Sequence, residues 1–220
     1  TRRIDDEDPY LLLGFNETLD RDTFVKDCLA GEMQRPLSMV HRHTVQPGDV
    51  LLLHGGLVHA IGPGVFLVEL MEPTDLVTQP DRFCGRQPLT EQDRFGAITP
   101  ERAMEVFDYR PATKEEAWNG AVCTPTLLDS QKNSDAWQLI GPEKTPYFSA
   151  RRIRVQGRWD ENPRRTGAHA AVVVKGALTL RSDDTELPLP GGQAFFVPVT
   201  AEPITYRGAG TVLCTHPPAP

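Results

Sequence analysis

No apolar run in this 220-residue chain approaches the roughly 20 residues that a helix needs to cross a bilayer. The opening decade, TRRIDDEDPY, is too polar for a secretory signal. Cysteine is scarce: Cys28, Cys84, Cys123 and Cys214 lie far apart with no C-x-x-C pair, which argues against a zinc knuckle and a dense disulfide framework and leaves ordinary reduced thiols. Blocks of one charge are missing as well. The net charge of −7 is spread over residues of both signs, so neither nucleic acid nor an anionic membrane is an expected partner. These absences leave the expectation of a cytoplasmic protein that acts on small molecules.

What the chain does have is punctuation. Twenty prolines and eighteen glycines favour short elements joined by turns. The apolar runs PYLLLGF, SMVHRHTV, DVLLLH, GVFLVEL, HAAVVVKG, ALTLRS, QAFFVPV and TVLCTH are short, rich in Val, Leu and Phe, and bounded by Gly, Pro or Asp, which reads as strand. Two helices are expected. One runs from Thr18 or Asp20 to Ala30 with Gly31 as its stop; the other is capped by Thr99, opens with Pro100 and ends near Tyr109. Residues 111–146 read as a connector. The expectation is therefore a mainly β chain of two antiparallel, jelly-roll β-barrels with a small helical insertion: residues 1–115 as the second half of the first barrel with short helices, 116–145 as the connector and 146–220 as the second, structural barrel.

One stretch, GDVLLLHGGLVHAIGPGVFLVEL at residues 48–70, sets His54 and His59 around a Gly-Gly turn inside an apolar run. Its frame recurs faintly: Gly48, five strand residues, His54 and then His59 match Gly192, five residues, Pro198 and Pro203. Only the first copy offers an imidazole at the final position, so one active and one structural unit are expected.

Gly48, Gly56 and His59 fit the second signature motif of the cupin barrels, G-x5-P-x-G-x2-H, with His54 in the place of the proline. In the longer segment VQPGDVLLLHGGLVHAIGPGVFLVELMEPTD, the positions of Pro47, Gly48, Asp49, Gly56, His59, Ala60, Ile61, Gly64, Glu69 and Asp75 resemble those of class I mannose-6-phosphate isomerases. DPYLLLGFNETLDRDTFVKDCLAGE and PGGQAFFVPV resemble further parts of that family, so the resemblance covers nearly the whole chain.

The resemblance implies a sugar or sugar phosphate as partner and a divalent metal, zinc by expectation, with His59 as one ligand; the alternative is a histidine packed beside the turn. The family's other ligands come from a Q-x-H unit and a K-x-E type unit on strands that precede the equivalent of PYLLLGF, so the chain is expected either to be part of a longer protein or to have lost the metal site. His41 and His43 form an H-x-H pair whose side chains share one face of a strand. They are either rival ligands or a solvent-facing pair. Alternation in VFLVEL turns Val65, Leu67 and Glu69 to one face, and a carboxylate among apolar neighbours must be paired, ligated or shifted in pKa.

The matching glutamate of the family is an active-site residue, which makes Glu69 the candidate base; a structural ion pair is the alternative. The family's active-site arginine falls at Gln79, which carries no charge, so Arg82 or Arg86 is expected to stand in, with an exposed loop arginine as the bland reading. The implied activity is aldose–ketose isomerisation of mannose 6-phosphate or a related sugar. A sugar-binding cupin without catalysis is the second reading, and a cupin dioxygenase or epimerase the third.

Overall fold

The computed structural model describes residues 1, 2, 4, 6–72 and 77–218, so Asp75 lies outside the described residues. The chain is mainly β and divides into two compact units, Thr1–Val122 and Cys123–Pro220.

Unit 1 is built on β1 (Tyr10–Phe15), the centre of a three-stranded antiparallel sheet ordered β2-β1-β3, with β2 at Val40–Thr44 and β3 at His59–Ile61. The register sets Leu11 opposite His43 and Leu13 opposite His59. Helix α1 (Arg21–Ala30) starts where the Asp20 side chain accepts the Thr23 N–H at 3.0 Å. It stops at Gly31, whose φ of 75° few other residues adopt, as the sequence implies. A short helix α2 (Gln34–Ser38) follows, and Arg35 in it forks onto the buried Asp27 at 2.5 and 2.7 Å. The core is aromatic: Phe15 meets Phe24 edge-on at 4.9 Å and stacks on Tyr109 at 5.5 Å.

A two-stranded hairpin, β4 (Phe83–Cys84) and β5 (Gln87–Pro88), leads to α3 (Glu91–Phe95). The helix expected from Thr99 begins as expected, capped by Thr99 with Pro100 in its first turn, but α4 covers only Pro100–Ala103. It tightens into a 3-10 turn at Met104–Val106 and is extended by Phe107. The unwinding delivers Phe107 and Tyr109 to the aromatic core, where Tyr109 Oη donates to the Met104 carbonyl at 2.6 Å. Helix α5 (Lys114–Ala121) is closed by a capping box between Thr113 and Glu116. It lies in sequence that reads as connector, as do strands β6 (Thr126–Gln131) and β7 (Ser134–Ile140) of unit 2.

Two expected strands of unit 1 do not form. In DVLLLH only Leu51 makes a bridge, to Val122, and residues 65–70 carry no strand at all. Apolar alternation specifies a strand only where a partner edge is available, and these residues find none among those described. Phe66 is accordingly 83% exposed.

Unit 2 holds a seven-stranded antiparallel sheet. Besides β6 and β7 it contains β8 (Ser149–Glu161), β9 (His169–Ser182), β10 (Thr185–Pro190), β11 (Ala194–Val197) and β12 (Ile204–His216), with a one-turn helix α6 (Pro163–Thr166) after β8. The order is β10-β9-β12-β8-β7-β6, and β11 pairs with the first half of β9 while β10 pairs with the second. Strands β8, β9 and β12 are long, and each is creased at glycine: Gly157 faces Gly208, and Gly176 faces Gly210. At Gly176, φ is 75° and a Cβ would stand 2.2 Å from the Ala209 carbonyl oxygen, so no other residue fits without displacing backbone.

The crease folds β8 back on itself. Arg151 and Glu161, which a straight strand would hold about 33 Å apart, are hydrogen-bonded to each other. Ile153, Val155, Val173, Leu189, Tyr206 and Val212 fill the space between the layers and are fully buried. The pairing closes neither sheet into a ring. Among the described residues the sheets are open, one small and one large and folded, so the closed pairing expected of a barrel is not seen: the three short strands of unit 1 match the half barrel expected there in not encircling a core, and the crease in unit 2 makes layers.

Candidate functional site

In unit 1 the HGGL turn is built as its residues suggest. The His54 carbonyl accepts the Leu57 N–H at 3.1 Å, so His54 serves the turn, and its side chain is exposed. Gly56 has φ 85°, and a Cβ there would stand 2.9 Å from the Val106 carbonyl oxygen. Its own carbonyl accepts the Asp108 N–H at 2.8 Å, which ties the turn to the segment after α4.

The turn delivers His59 to the first position of β3, with its ring exposed. Nδ1 lies 2.8 Å from the Leu57 carbonyl oxygen, which can only accept. In the neutral ring the proton therefore sits on Nδ1 and the lone pair on Nε2, the form in which a histidine ligates. One nitrogen does not make a metal centre. Among the described residues no group of three His, Cys, Asp or Glu side chains is placed to hold a metal ion, so these residues do not by themselves fit the expected zinc.

Glu69 is exposed, contrary to the burial that alternation in VFLVEL implies, because residues 65–70 pair with no strand among the described residues that would give them an inner face. Arg82 is exposed and lies over the end of α1, where a Cβ on Gly31 would stand 2.0 Å from its Nε. Arg86 is exposed at the tip of the β4–β5 hairpin. His59, Glu69 and Arg82 make no hydrogen bond or ion pair with one another.

His41 and His43 share a face of β2 as the period of two requires, but that face is covered rather than open to solvent. His41 Nε2 lies 2.8 Å from the Ala112 carbonyl, and His43, 5% exposed, stacks on Trp118 of α5 at 5.3 Å. Burial pushes the His43 imidazole below its ordinary pKa, as do the nearby Lys114 and His41; a hydrogen bond to Leu13 acts the other way. The pair is packing for a helix that sequence patterning did not reveal.

Sequence reasoning also missed Arg94. Its guanidinium is buried, donating to the Cys28 and Pro80 carbonyls at 3.2 and 2.5 Å, while the Gln79 N–H reaches the Arg94 carbonyl at 2.8 Å. Burial first, and Arg82 second, lower its pKa. Only its apolar neighbour Phe95 in EQDRF hints that this side of α3 faces inward.

Residues 141–217 match the family described as mannose-6-phosphate isomerase, cupin domain. The mannose 6-phosphate isomerase from Bacillus subtilis is similar in structure, with a TM-score of 0.71 at 17% identity over 96% of this chain and 61% of that one. The apo form of the mannose 6-phosphate isomerase from Salmonella typhimurium gives a TM-score of 0.61 at 13% identity, over 96% of this chain and 65% of that one. At these identities the likeness is one of fold. The chain spans about three fifths of the length of these proteins. No curated protein matches it in sequence.

Proposed function

From a second unit that belongs to the mannose-6-phosphate isomerase cupin-domain family, in a chain that shares the fold of those isomerases, we propose that this protein serves aldose–ketose isomerisation of a sugar phosphate. Mannose 6-phosphate to fructose 6-phosphate is the first reaction to test. The observation that carries the reading is the combination of the family match with a fold shared over 96% of the chain.

In such a reaction a base takes the proton from C2 of the open-chain aldose and returns it to C1, while the C1 oxygen gains negative charge in between and ends with the proton that the C2 hydroxyl gives up as it becomes the ketone. Glu69 is the proposed base: its carboxylate is exposed and ten residues beyond His59, in a segment that pairs with no strand among the described residues. Arg82 is the proposed cation for the substrate's phosphate or the developing charge, since a guanidinium forks onto phosphate oxygens. The exposed Nε2 lone pair of His59 is the proposed point of attachment for a divalent metal, and further ligands beyond the described residues would be needed to complete it. Unit 2 is proposed to be the structural, metal-free cupin.

The experiment is an isomerase assay on the whole protein that carries this chain, with and without added zinc and with metal content measured. Formation of fructose 6-phosphate is expected. Glu69→Gln should lower kcat by about a hundredfold with KM little changed, and His59→Ala should lose metal and activity together. A Glu69→Gln variant at full rate rejects that base, and metal retained by His59→Ala rejects that ligand.

The second reading, a sugar-binding cupin without catalysis, draws on the separation of His59, Glu69 and Arg82. Calorimetric binding of hexose phosphates with no turnover of any of them would select it.

A further inference from the structure

Unit 2 buries a set of polar side chains that the proposed reaction does not use. Arg151 and Glu161, at the two ends of β8, are joined through the guanidinium and Glu161 Oε1. Thr166 Oγ1 donates to the same oxygen at 2.7 Å. His169, at the start of β9, is 1% exposed, and its Nδ1 lies 3.1 Å from the Gly167 carbonyl oxygen. His216, at the end of β12, has its ring centroid 4.8 Å from that of His169 and is hydrogen-bonded to the backbone of Ala168.

His169 thus gives its Nδ1 proton to a carbonyl and in the neutral form its Nε2 is a lone pair; the bond of His216 to the Ala168 backbone, which favours the protonated ring, leaves its Nε2 in the same form when neutral. Neither Nε2 has a partner, and both atoms are buried. Glu161 Oε2, Arg151 Nε and the Tyr206 hydroxyl are unpartnered and buried in the same unit. Two lone pairs cannot satisfy each other. A cation could bridge them, but among the described residues no three side chains are placed to hold one, and Arg151 already supplies positive charge here. The remaining source of a hydrogen is the proton itself. His169 Nε2 stands 3.9 Å from Glu161 Oε1, the oxygen that Arg151 occupies, so a protonated His169 competes with Arg151 for one carboxylate.

We propose that the Arg151–Glu161 pair, with His169 and His216 beside it, is a proton-operated clasp that holds the ends of the folded β8 together at neutral pH and lets them part on acidification. The facing groups leave little compensation. β8 contributes Arg151 and Glu161, β9 contributes His169, and β12 contributes His216, Tyr206 and Cys214. Burial keeps the Cys214 thiol, pushed up to about 12, and the Tyr206 phenol neutral. Burial pushes the Glu161 carboxyl upward, but Arg151, Thr166 and His169 outweigh it and hold the group below its ordinary range. With both rings protonated, three cations therefore face one carboxylate.

Burial lowers both imidazoles, His216 to about 4. The folded state then binds fewer protons than the unfolded chain, so the stability that the neutral rings contribute is present in full above the ordinary value of 6.5 and is lost as pH falls toward 4.

The test is amide hydrogen exchange of the full 220-residue chain, corrected for intrinsic rates, with the imidazole resonances followed by NMR across the same pH series. Exchange in peptides covering β8 and β12 should rise at least about tenfold as pH falls through this range, in step with titration of His169 and His216. In His169→Asn/His216→Asn, whose side-chain amides can still reach the two carbonyls, the rise should move at least about one pH unit lower. If the double variant does not fold, His216→Asn alone carries the comparison, because His216 is only partly buried. An unchanged midpoint in the variant, imidazoles that titrate without loss of protection, or a stoichiometric metal whose chelation alters protection would each overturn the clasp. The clasp is independent of the isomerase reading, so failure of one leaves the other standing.

Discussion

Gly176 meets Ala209 so closely that a methyl group on the glycine would lie 2.2 Å from the alanine's carbonyl oxygen. Gly176→Ala therefore combines a positive φ with a backbone collision on the central pair of strands. It should cost about 2–4 kcal/mol, read as a lower urea midpoint with an unchanged slope. Gly85→Ala is the comparison: φ is 62° there too, but a Cβ would meet nothing within 4 Å. A smaller loss, about 1 kcal/mol, is expected for it.

His43 is expected to report acidification through Trp118, the tryptophan of unit 1 on which it stacks. Its folded pKa is depressed, so its contribution to stability is full above 6.5 and declines as pH falls below that value. Trp118 emission should change with a midpoint below 6.5, and the change should vanish in His43→Phe. Trp118→Phe isolates the signal from Trp137 and Trp159. An identical titration in His43→Phe would show that the emission follows another group.

One thiol is expected to react in the native protein. Cys84 is exposed in β4, whereas Cys28, Cys123 and Cys214 are buried, and burial pushes the Cys28 and Cys214 thiols up to about 12. A chromogenic disulfide should titrate one equivalent before denaturation and four after. A second fast equivalent would mean that one of the buried thiols opens to solvent in the folded state.

How much of this was legible in the sequence depended on whether the signal was local. The helix start at Thr18 or Asp20, where Asp20 proves to be the cap, the stop at Gly31, the Thr99–Pro100 helix start and the His54 turn are each decided within a few residues. Strands β1 and β2 lie in short apolar runs, PYLLLGF and SMVHRHTV, that read as strand on their own. Pairing is not local, which is why VFLVEL reads as a strand and forms none, and why Glu69 lacks the buried face that alternation implied. The crease was invisible for the same reason. Gly157, Gly176, Gly208 and Gly210 look like ordinary punctuation until the register sets them opposite one another. Helix α5 hid behind polar sequence because its inward side is small, Ala117 and Ala121, with the buried His43 packed under Trp118.

The order of strands in unit 2 also fixes an order of events. β12 lies between β8 and β9 in the sheet yet follows both in the chain, so neither neighbour can complete its pairing until residues 204–216 exist. Contacts between strands so far apart in sequence make for slow folding, and open strand edges are the surfaces on which nascent chains aggregate. During synthesis, then, β8 and β9 emerge as two edges that only the last strand can join, and that interval is when the unit's strand edges are most open to wrong pairing.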